Sequence, residues 1–258
     1  MKSLSQGKGF LRKTDGRVCY DWRKGSSLLS GNLILKFLER HRDRLRGALL
    51  DVGCGERPYG ILYDSLVTSY HAIDIPQPSR KIEITVAAVC ESLPFLEARF
   101  DVVLCTEVLM HVDEPRRALQ EIWRVLKPNG TLVLTTTFLY PTNEFPRDHW
   151  RFNHRGNRLM LTQAGFAVEN MVAKAGFFSL VFVFIFIAAF TALRICLKAF
   201  GRNAEEMISV RLLASIPQKL WWWLLSPSYS RKLKTAGDSC SRYEQIFSMG
   251  YCMVARKT

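Results

Sequence analysis

The stretch LLDVGCG at residues 49–55 decides the fold of this chain. Its apolar beginning predicts a short buried strand, and two glycines one residue apart follow directly. Glycine at such a turn lets the backbone bend sharply and approach a ligand without a clash from a Cβ atom. The sequence therefore predicts a strand whose carboxyl end carries a ligand-binding turn.

Two kinds of cofactor bind at a turn of this type. A dinucleotide requires a third glycine, three residues after the second, to pack helix on strand beneath the pyrophosphate. This chain has Pro58 at that position and an acid, Asp51, before the turn. S-adenosylmethionine has no phosphate but carries an ammonium and a sulfonium, which a nearby carboxylate suits. The pattern therefore favours S-adenosylmethionine.

A second acid, Asp74, ends the next apolar run, about twenty residues after the turn, where a carboxylate can accept both ribose hydroxyls of an adenosine. Asp51 and Asp74 could each instead cap a turn. Because both follow strands of one β-α-β unit, we interpret them together as a cofactor site.

Apolar runs alternate with helical segments on both sides of the turn, which predicts a Rossmann-like α/β fold. We expect a seven-stranded, mostly parallel sheet with helices on both faces and an apolar helical insertion before the last strand. In the clearest helix, residues 115–126, Asp113 is placed to cap the start. The predicted strands are 48–52, 70–75, 82–88, 100–105, 131–136, 167–173 and 251–256, and the other helices are 30–44 and 156–163.

Residues 48–136 resemble class I S-adenosylmethionine-dependent methyltransferases of the type 11 group. The matching segments, in order, are LLDVGCG, HAIDI, ESLPF, FDVVLCTEVLMHV and EIWRVLKPNGTLVL. The resemblance implies S-adenosylmethionine as cofactor, with the methionine moiety near the turn and the ribose on the second acid. The implied cofactor-binding residues are Asp51, Gly53, Gly55, Asp74, Ile75, Cys105 and Thr106. Val89 departs from the pattern, because the family usually has an acid there for the adenine amino group.

The acceptor side is predicted from the segment PRDHWRFN at residues 146–153. It resembles a DHWRF-type segment of methyltransferases associated with bacterial surface glycans and lipids. A hydroxyl acceptor needs a base, for which His149 and Asp148 are the candidates. The alternatives are a hydrogen bond of His149 to its own loop, and ion pairs of the loop arginines with Asp148 or Glu144. Candidate substrate-binding residues are Glu107, Arg147, Trp150 and Arg151, and His111 is assigned a structural role.

Composition limits the partners. The formal net charge of +13 favours nucleic acid, anionic lipid or a phosphorylated substrate. Seven scattered cysteines without a CxxC pair or a histidine at ligand spacing argue against disulfides and against a metal site. We expect a cytoplasmic protein without a signal peptide, since no apolar segment follows Met1.

Residues 175–193 contain no charged residue and match the length of a bilayer-crossing helix. The last strand must nevertheless return to the same sheet. We therefore expect a helical hairpin over residues 175–226 that lies on or dips into the inner face of a membrane without crossing it. Trp221, Trp222 and Trp223 would lie at headgroup depth, and basic residues would face anionic headgroups. Packing on the domain itself, or in a dimer, is the alternative.

These patterns predict three segments and one leading function. The segments are a basic arm (1–30), a methyltransferase domain (31–174 plus 248–258) and an apolar and basic helical insertion (175–247). The leading hypothesis is a membrane-associated methyltransferase with a lipid-linked or surface-glycan acceptor. A nucleic-acid methyltransferase is favoured by the charge alone and lacks an interleaved basic and aromatic platform. A catalytically inactive membrane-bound scaffold has only Val89 in its support.

Overall fold

The glycine turn lies at the carboxyl edge of an eight-stranded sheet in a computed structural model of the chain. The structure describes residues 11–14, 17–20, 28–76, 84–142, 147–199, 223, 229, 231–233, 237–238 and 240–258. Two strands precede the main sheet, β1 (Leu11–Thr14) and β2 (Arg17–Tyr20), and they form an antiparallel hairpin. Residues 11–14 and 17–20 of the predicted basic arm are therefore paired strands. Strands of four residues are too short to show an apolar period.

The main sheet has the order β5-β4-β3-β6-β7-β10-β8-β9. Its strands are β3 (Gly47–Val52), β4 (Val67–Asp74), β5 (Val86–Ala87), β6 (Phe100–Thr106), β7 (Leu126–Thr137), β8 (Phe166–Ala173), β9 (Gly237–Asp238) and β10 (Gly250–Lys257). All neighbouring pairs are parallel except those of β10, which runs antiparallel to β7 and β8. The prediction of a mostly parallel Rossmann-like sheet is confirmed, and the count of seven is wrong because the two-residue strand β9 adds an edge.

Helices cover both faces of the sheet. They are α1 (Leu28–Arg40), α2 (Gly60–Tyr63), α3 (Pro115–Val125), α4 (His154–Gln163), α5 (Phe177–Ala199) and α6 (Arg242–Ile246). Alternate residues of β3 point to opposite faces. Leu50 belongs to the core beneath α3 and α4, and Leu49 to the core beneath α1 and α5. The predicted cap of α3 is wrong: Glu114 is the N-cap and no side chain caps it, while Pro115 starts the helix.

The predicted insertion is helical in its first part, α5, whose Leu180 and Val183 pack on the sheet while Phe178 and Ile185 are exposed. The insertion also contains β9 and α6, so the described part is not purely helical. The middle of the predicted hairpin, with Trp221 and Trp222, lies outside the described residues. Among the helices that the structure describes, none combines the length and the apolar character that crossing a membrane requires.

Candidate functional site

The two glycines of the turn after β3, Gly53 and Gly55, have different surroundings. Both have left-handed backbones, with φ of 64° at Gly53 and 50° at Gly55. A Cβ atom on Gly53 would lie 2.4 Å from Cγ2 of Val108, whereas a Cβ on Gly55 would meet nothing within 4 Å. Packing therefore requires the first glycine, and the second leaves open space beside the turn.

Asp74 connects this turn to the end of β4. Its Oδ2 accepts a hydrogen bond of 2.8 Å from the amide of Gly55, and its Oδ1 accepts one of 2.7 Å from the amide of Ile75. The amides of Gly53 and Cys54 both donate to the carbonyl of Ile73. The carboxylate is thus held by the backbone at the edge of the sheet, where ligands bind in parallel α/β folds.

A cavity of about 460 Å³ opens beside the turn, and we call it the larger cavity. The predicted site residues that line it are Gly53, Gly55, Asp74, Ile75, Thr106, Glu107, Arg147 and His149. Val89 lines it as well, so an apolar side chain occupies the place where the family pattern has an acid. The structure therefore brings most of the predicted cofactor residues to one cavity.

Two predicted cofactor residues lie elsewhere. Cys105 is fully buried in the core and does not line the larger cavity, because side chains of β6 alternate between the two faces. Asp51 is buried beneath the turn, where its Oδ2 accepts hydrogen bonds of 3.0 Å from the hydroxyls of Tyr63 and Tyr70. Burial raises the pKa of Asp51 to about 6 although both hydroxyls lower it. Asp51 therefore supports the turn from below.

A smaller cavity, of about 180 Å³, shares Glu107 and His111 with the larger one. Asp148 and Arg151 line this smaller cavity. They form a bidentate ion pair, in which Nη1 and Nη2 of Arg151 donate to the two carboxylate oxygens of Asp148. Asp148 is only 2% exposed, and its hydrogen bonds raise the pKa of Arg151. The structure thus has the ion pair within the loop that the sequence offered as the alternative, and the assignment of Asp148 as a base stays a prediction.

The next two loop residues, His149 and Trp150, are held by the backbone, and His149 also lines the larger cavity. The amides of His149 and Trp150 both donate to the carbonyl of Met110, and Nε1 of Trp150 donates to the carbonyl of Val112. The indole lines neither cavity, so its predicted contact with substrate is not supported. His149 Nε2 lies 3.6 Å from a carboxylate oxygen of Asp113 on the side of the larger cavity.

His111 also lines both cavities. Its Nδ1 is hydrogen-bonded to the carbonyl oxygen of Arg147, which can only accept, so Nδ1 is the donor. This contact joins the turn after β6 to the loop that begins at Arg147. It gives His111 the structural role that the sequence predicted.

Glu107 has the most unusual environment in the site. Its backbone is left-handed, with φ of 57°, a conformation that costs a non-glycine residue free energy and clusters at functional sites. Its carboxylate accepts hydrogen bonds from Thr135 Oγ1 at 2.7 Å, Thr137 Oγ1 at 2.9 Å and Lys174 Nζ at 2.6 Å. Burial alone would raise the pKa of Glu107, but Lys174 and the two hydroxyls outweigh burial and lower that pKa.

Sequence reasoning missed Lys174, Tyr63 and Tyr70. Each lies far along the chain from its carboxylate partner, so no local spacing links them. Lys174 follows directly after β8, and a lysine in so basic a chain carries no signal of its own. The end of β8 was nevertheless predicted, and it would have placed Lys174 at the edge of the sheet.

The comparisons with known proteins agree with this geometry. Residues 50–134 match the type 11 family described as a methyltransferase domain. The ubiquinone biosynthesis O-methyltransferase of Schizosaccharomyces pombe mitochondria is 36% identical, over 46% of this chain and 51% of that protein. The enzyme of the same name from Idiomarina loihiensis is 30% identical, over 40% of this chain and 47% of that protein. The chain thus spans about half the length of these relatives.

Solved structures show the same fold. The [4+2]-cyclase SpnF superimposes with a TM-score of 0.53 at 20% identity, over 96% of this chain and 86% of that one. A putative sarcosine dimethylglycine methyltransferase from Galdieria sulphuraria gives 0.52 at 15% identity, over 92% and 88%. Residues 50–134 therefore carry a methyltransferase domain of a family that uses S-adenosylmethionine as methyl donor. The names of these proteins mention no surface glycan, so the narrower resemblance to glycan and lipid enzymes stays a prediction.

Proposed function

We propose that this chain, with its methyltransferase domain at residues 50–134, transfers a methyl group from S-adenosylmethionine to a hydroxyl of a lipid-linked or surface-glycan acceptor at a membrane. The observation that carries the proposal is the pairing of the glycine turn with Asp74 beside the larger cavity. The open space at Gly55 fits a cofactor that approaches the backbone closely.

The residues of the larger cavity suit the parts of this cofactor. Asp74 keeps lone pairs for ribose hydroxyls beyond the two backbone amides that it already binds. Val89 and Ile75 offer apolar contact for the adenine. When bound, S-adenosylmethionine supplies an electrophilic methyl group on a sulfonium. The protein then needs chiefly to align the acceptor atom with the methyl group, which can contribute roughly 7–11 kcal/mol.

The smaller cavity is the acceptor site in this proposal, because it meets the larger cavity at Glu107 and His111. The Asp148–Arg151 ion pair fixes the loop that borders it. A hydroxyl is the proposed acceptor because two relatives carry O-methyltransferase in their names.

The membrane part of the proposal rests on α5 and on charge. Phe178, Ile185 and Ile195 are 76%, 64% and 65% exposed along this helix. Large exposed apolar patches mark interaction sites. The formal net charge of +13 favours an anionic surface. An apolar helix next to a basic domain suits attachment to one face of an anionic membrane.

The test is transfer of a labelled methyl group. The full chain is incubated with methyl-tritiated S-adenosylmethionine and a total membrane lipid extract of the source organism, and label is counted in the organic-solvent phase. The proposal predicts label there with the wild type and, at subsaturating cofactor, about tenfold less or lower with Asp74→Ala. Label in added tRNA or DNA but not in the lipid phase would instead support a nucleic-acid acceptor.

A further inference from the structure

Lys174 is a buried cation that the cofactor site does not use. Its side chain is 1% exposed, and lysine is almost never fully buried unless it is paired. Its partner is Glu107, with 2.6 Å between Nζ and Oε1. A buried pair of this kind is costly to desolvate, so it is weak evidence for a stabilising role.

The fold makes room for this lysine at a specific place. A Cβ atom on Gly250 would lie 2.6 Å from Cε of Lys174 and 2.0 Å from the carbonyl oxygen of Thr136. The backbone of Lys174 is held as well, since its amide donates to the carbonyl of Gly250 and its carbonyl accepts from the amide of Met249. Strand β10 therefore fixes where the ammonium lies.

The Glu107 side of the ion pair is also fixed by hydrogen bonds to its backbone and its carboxylate. Its amide lies 3.0 Å from Thr135 Oγ1, and its two carboxylate oxygens receive three hydrogen bonds. It is nevertheless 31% exposed, and both cavities reach it. A strained residue with an anchored, ionised and accessible carboxylate at the junction of two cavities has the properties of a catalytic group.

We infer that Glu107 is the catalytic base for the acceptor hydroxyl and that Lys174 is the positioning residue that aims its carboxylate and keeps it ionised. This inference rests on the proposed function. As the acceptor oxygen forms its bond to the methyl carbon, the carbon–sulfur bond breaks and its electron pair goes to sulfur. The hydroxyl proton passes to the Glu107 carboxylate, which later releases the proton to water.

The low pKa of the carboxylate is compatible with this role. An oxygen that is being methylated becomes strongly acidic, so a weak base suffices to take its proton. The same low pKa returns Glu107 to its ionised form after each transfer. Asp148 is less accessible, since its side chain is 2% exposed against 31% for Glu107, and His149 does not line the smaller cavity.

The rate of methyl transfer as a function of pH tests the inference. The full chain is incubated with methyl-tritiated S-adenosylmethionine and the total membrane lipid extract, and the initial rate of labelling in the organic-solvent phase is measured over a range of pH. The wild type should label the lipid, and Glu107→Gln should lower the maximal rate by about a hundredfold or more. Glu107→Gln leaves the buried Lys174 ammonium without its carboxylate partner. The double variant Glu107→Gln/Lys174→Met therefore serves as a second test, in which both side chains are neutral.

Lysine variants separate positioning from mere packing. In Lys174→Met, burial is no longer opposed by the ammonium, so the pKa of Glu107 rises and the acidic limb of the pH–rate profile should move to higher pH. Lys174→Arg should restore the wild-type pH dependence. The matched control is Lys127→Met, which removes an equally close but exposed ion pair, with Asp101 at 2.8 Å.

Other titratable groups stay constant across this series. The smaller cavity is also lined by Tyr59, His111, Tyr140, Asp148 and Arg151. The larger cavity adds Asp74, Cys90, Glu91, Asp113, Arg147 and His149. A pH shift seen only when Lys174 is changed therefore reports on that lysine. His111→Gln is the competitor variant, because His111 is the other side chain that lines both cavities.

The outcomes are distinct. The inference is overturned if Glu107→Gln keeps the wild-type rate, if only His111→Gln loses it, or if a wild type that binds the cofactor transfers no label. Calorimetric titration with S-adenosylmethionine, run on every variant, reports on the proposed function separately. Absence of cofactor binding in the wild type would refute the proposed function itself, whatever the labelling shows.

Discussion

The amide of Gly55 lies 2.8 Å from Oδ2 of Asp74, so the turn after β3 and the end of β4 form one rigid edge of the larger cavity. The contact joins the two most informative positions of the sequence. This hydrogen bond leaves acceptor sites on the Asp74 carboxylate free for a ligand, since an ionised carboxylate offers about four lone-pair sites.

Asp74→Ala should therefore weaken S-adenosylmethionine binding by about tenfold or more, or roughly 1.4 kcal/mol upward. Asp74→Asn should lose less, because its amide oxygen can still accept from the backbone. Calorimetric titration measures both affinities. Asp43→Ala, at an exposed carboxylate, is the control, and equal affinity in Asp74→Ala and in this control would remove Asp74 from the site.

Alanine at the two glycines of the turn should have unequal effects on folding. Gly53→Ala adds a left-handed alanine and a contact of 2.4 Å with Val108, so we expect a loss of roughly 2–4 kcal/mol in the free energy of unfolding. Gly55→Ala has only the backbone cost, about 1–2 kcal/mol. Urea denaturation compares the two. Val108→Ala in the Gly53→Ala background should recover part of the loss, and its failure to do so would contradict the steric explanation.

The sequence predicted this part of the molecule well because each feature there has a local cause. Strand β3, the glycine turn and Asp74 follow from apolar runs and from residues that the turn itself requires. Strand β9 could not be predicted, because two residues show no periodicity. The contact of Lys174 with Glu107 depends on the packing of β8 beside β10, and the burial of Asp51 depends on Tyr63 and Tyr70. Such contacts between distant residues leave no pattern in sequence spacing.

Asp51 should make stability depend on pH. Its pKa is raised by burial, to about 6, so the protonated form favours the folded state below the unfolded pKa, and this contribution is lost as the pH rises through 6. The loss should amount to about 2 kcal/mol between about pH 4 and pH 7. Asp51→Asn, which cannot ionise, should not show it. Parallel urea titrations of the two proteins at both pH values give the difference, and identical pH profiles would contradict a raised pKa.

The exposed side chains of α5 should govern attachment to vesicles. Replacing Phe178, Ile185 and Ile195 together with serine should lower co-sedimentation with phosphatidylserine vesicles by tenfold or more, because buried apolar area contributes about 25 cal/mol per Å². Stability should change little, since these side chains are already exposed. Leu96→Ser, at an exposed leucine outside α5, is the matched control. Unchanged sedimentation of the triple variant would refute this surface as the attachment site.

The central claim is that the larger cavity binds S-adenosylmethionine. Isothermal titration of the full wild-type chain with S-adenosylmethionine tests it most directly. We predict saturable binding at one site, competition by S-adenosylhomocysteine, and weaker binding by Asp74→Ala. A folded wild-type chain that shows no saturable binding of either compound would contradict the claim.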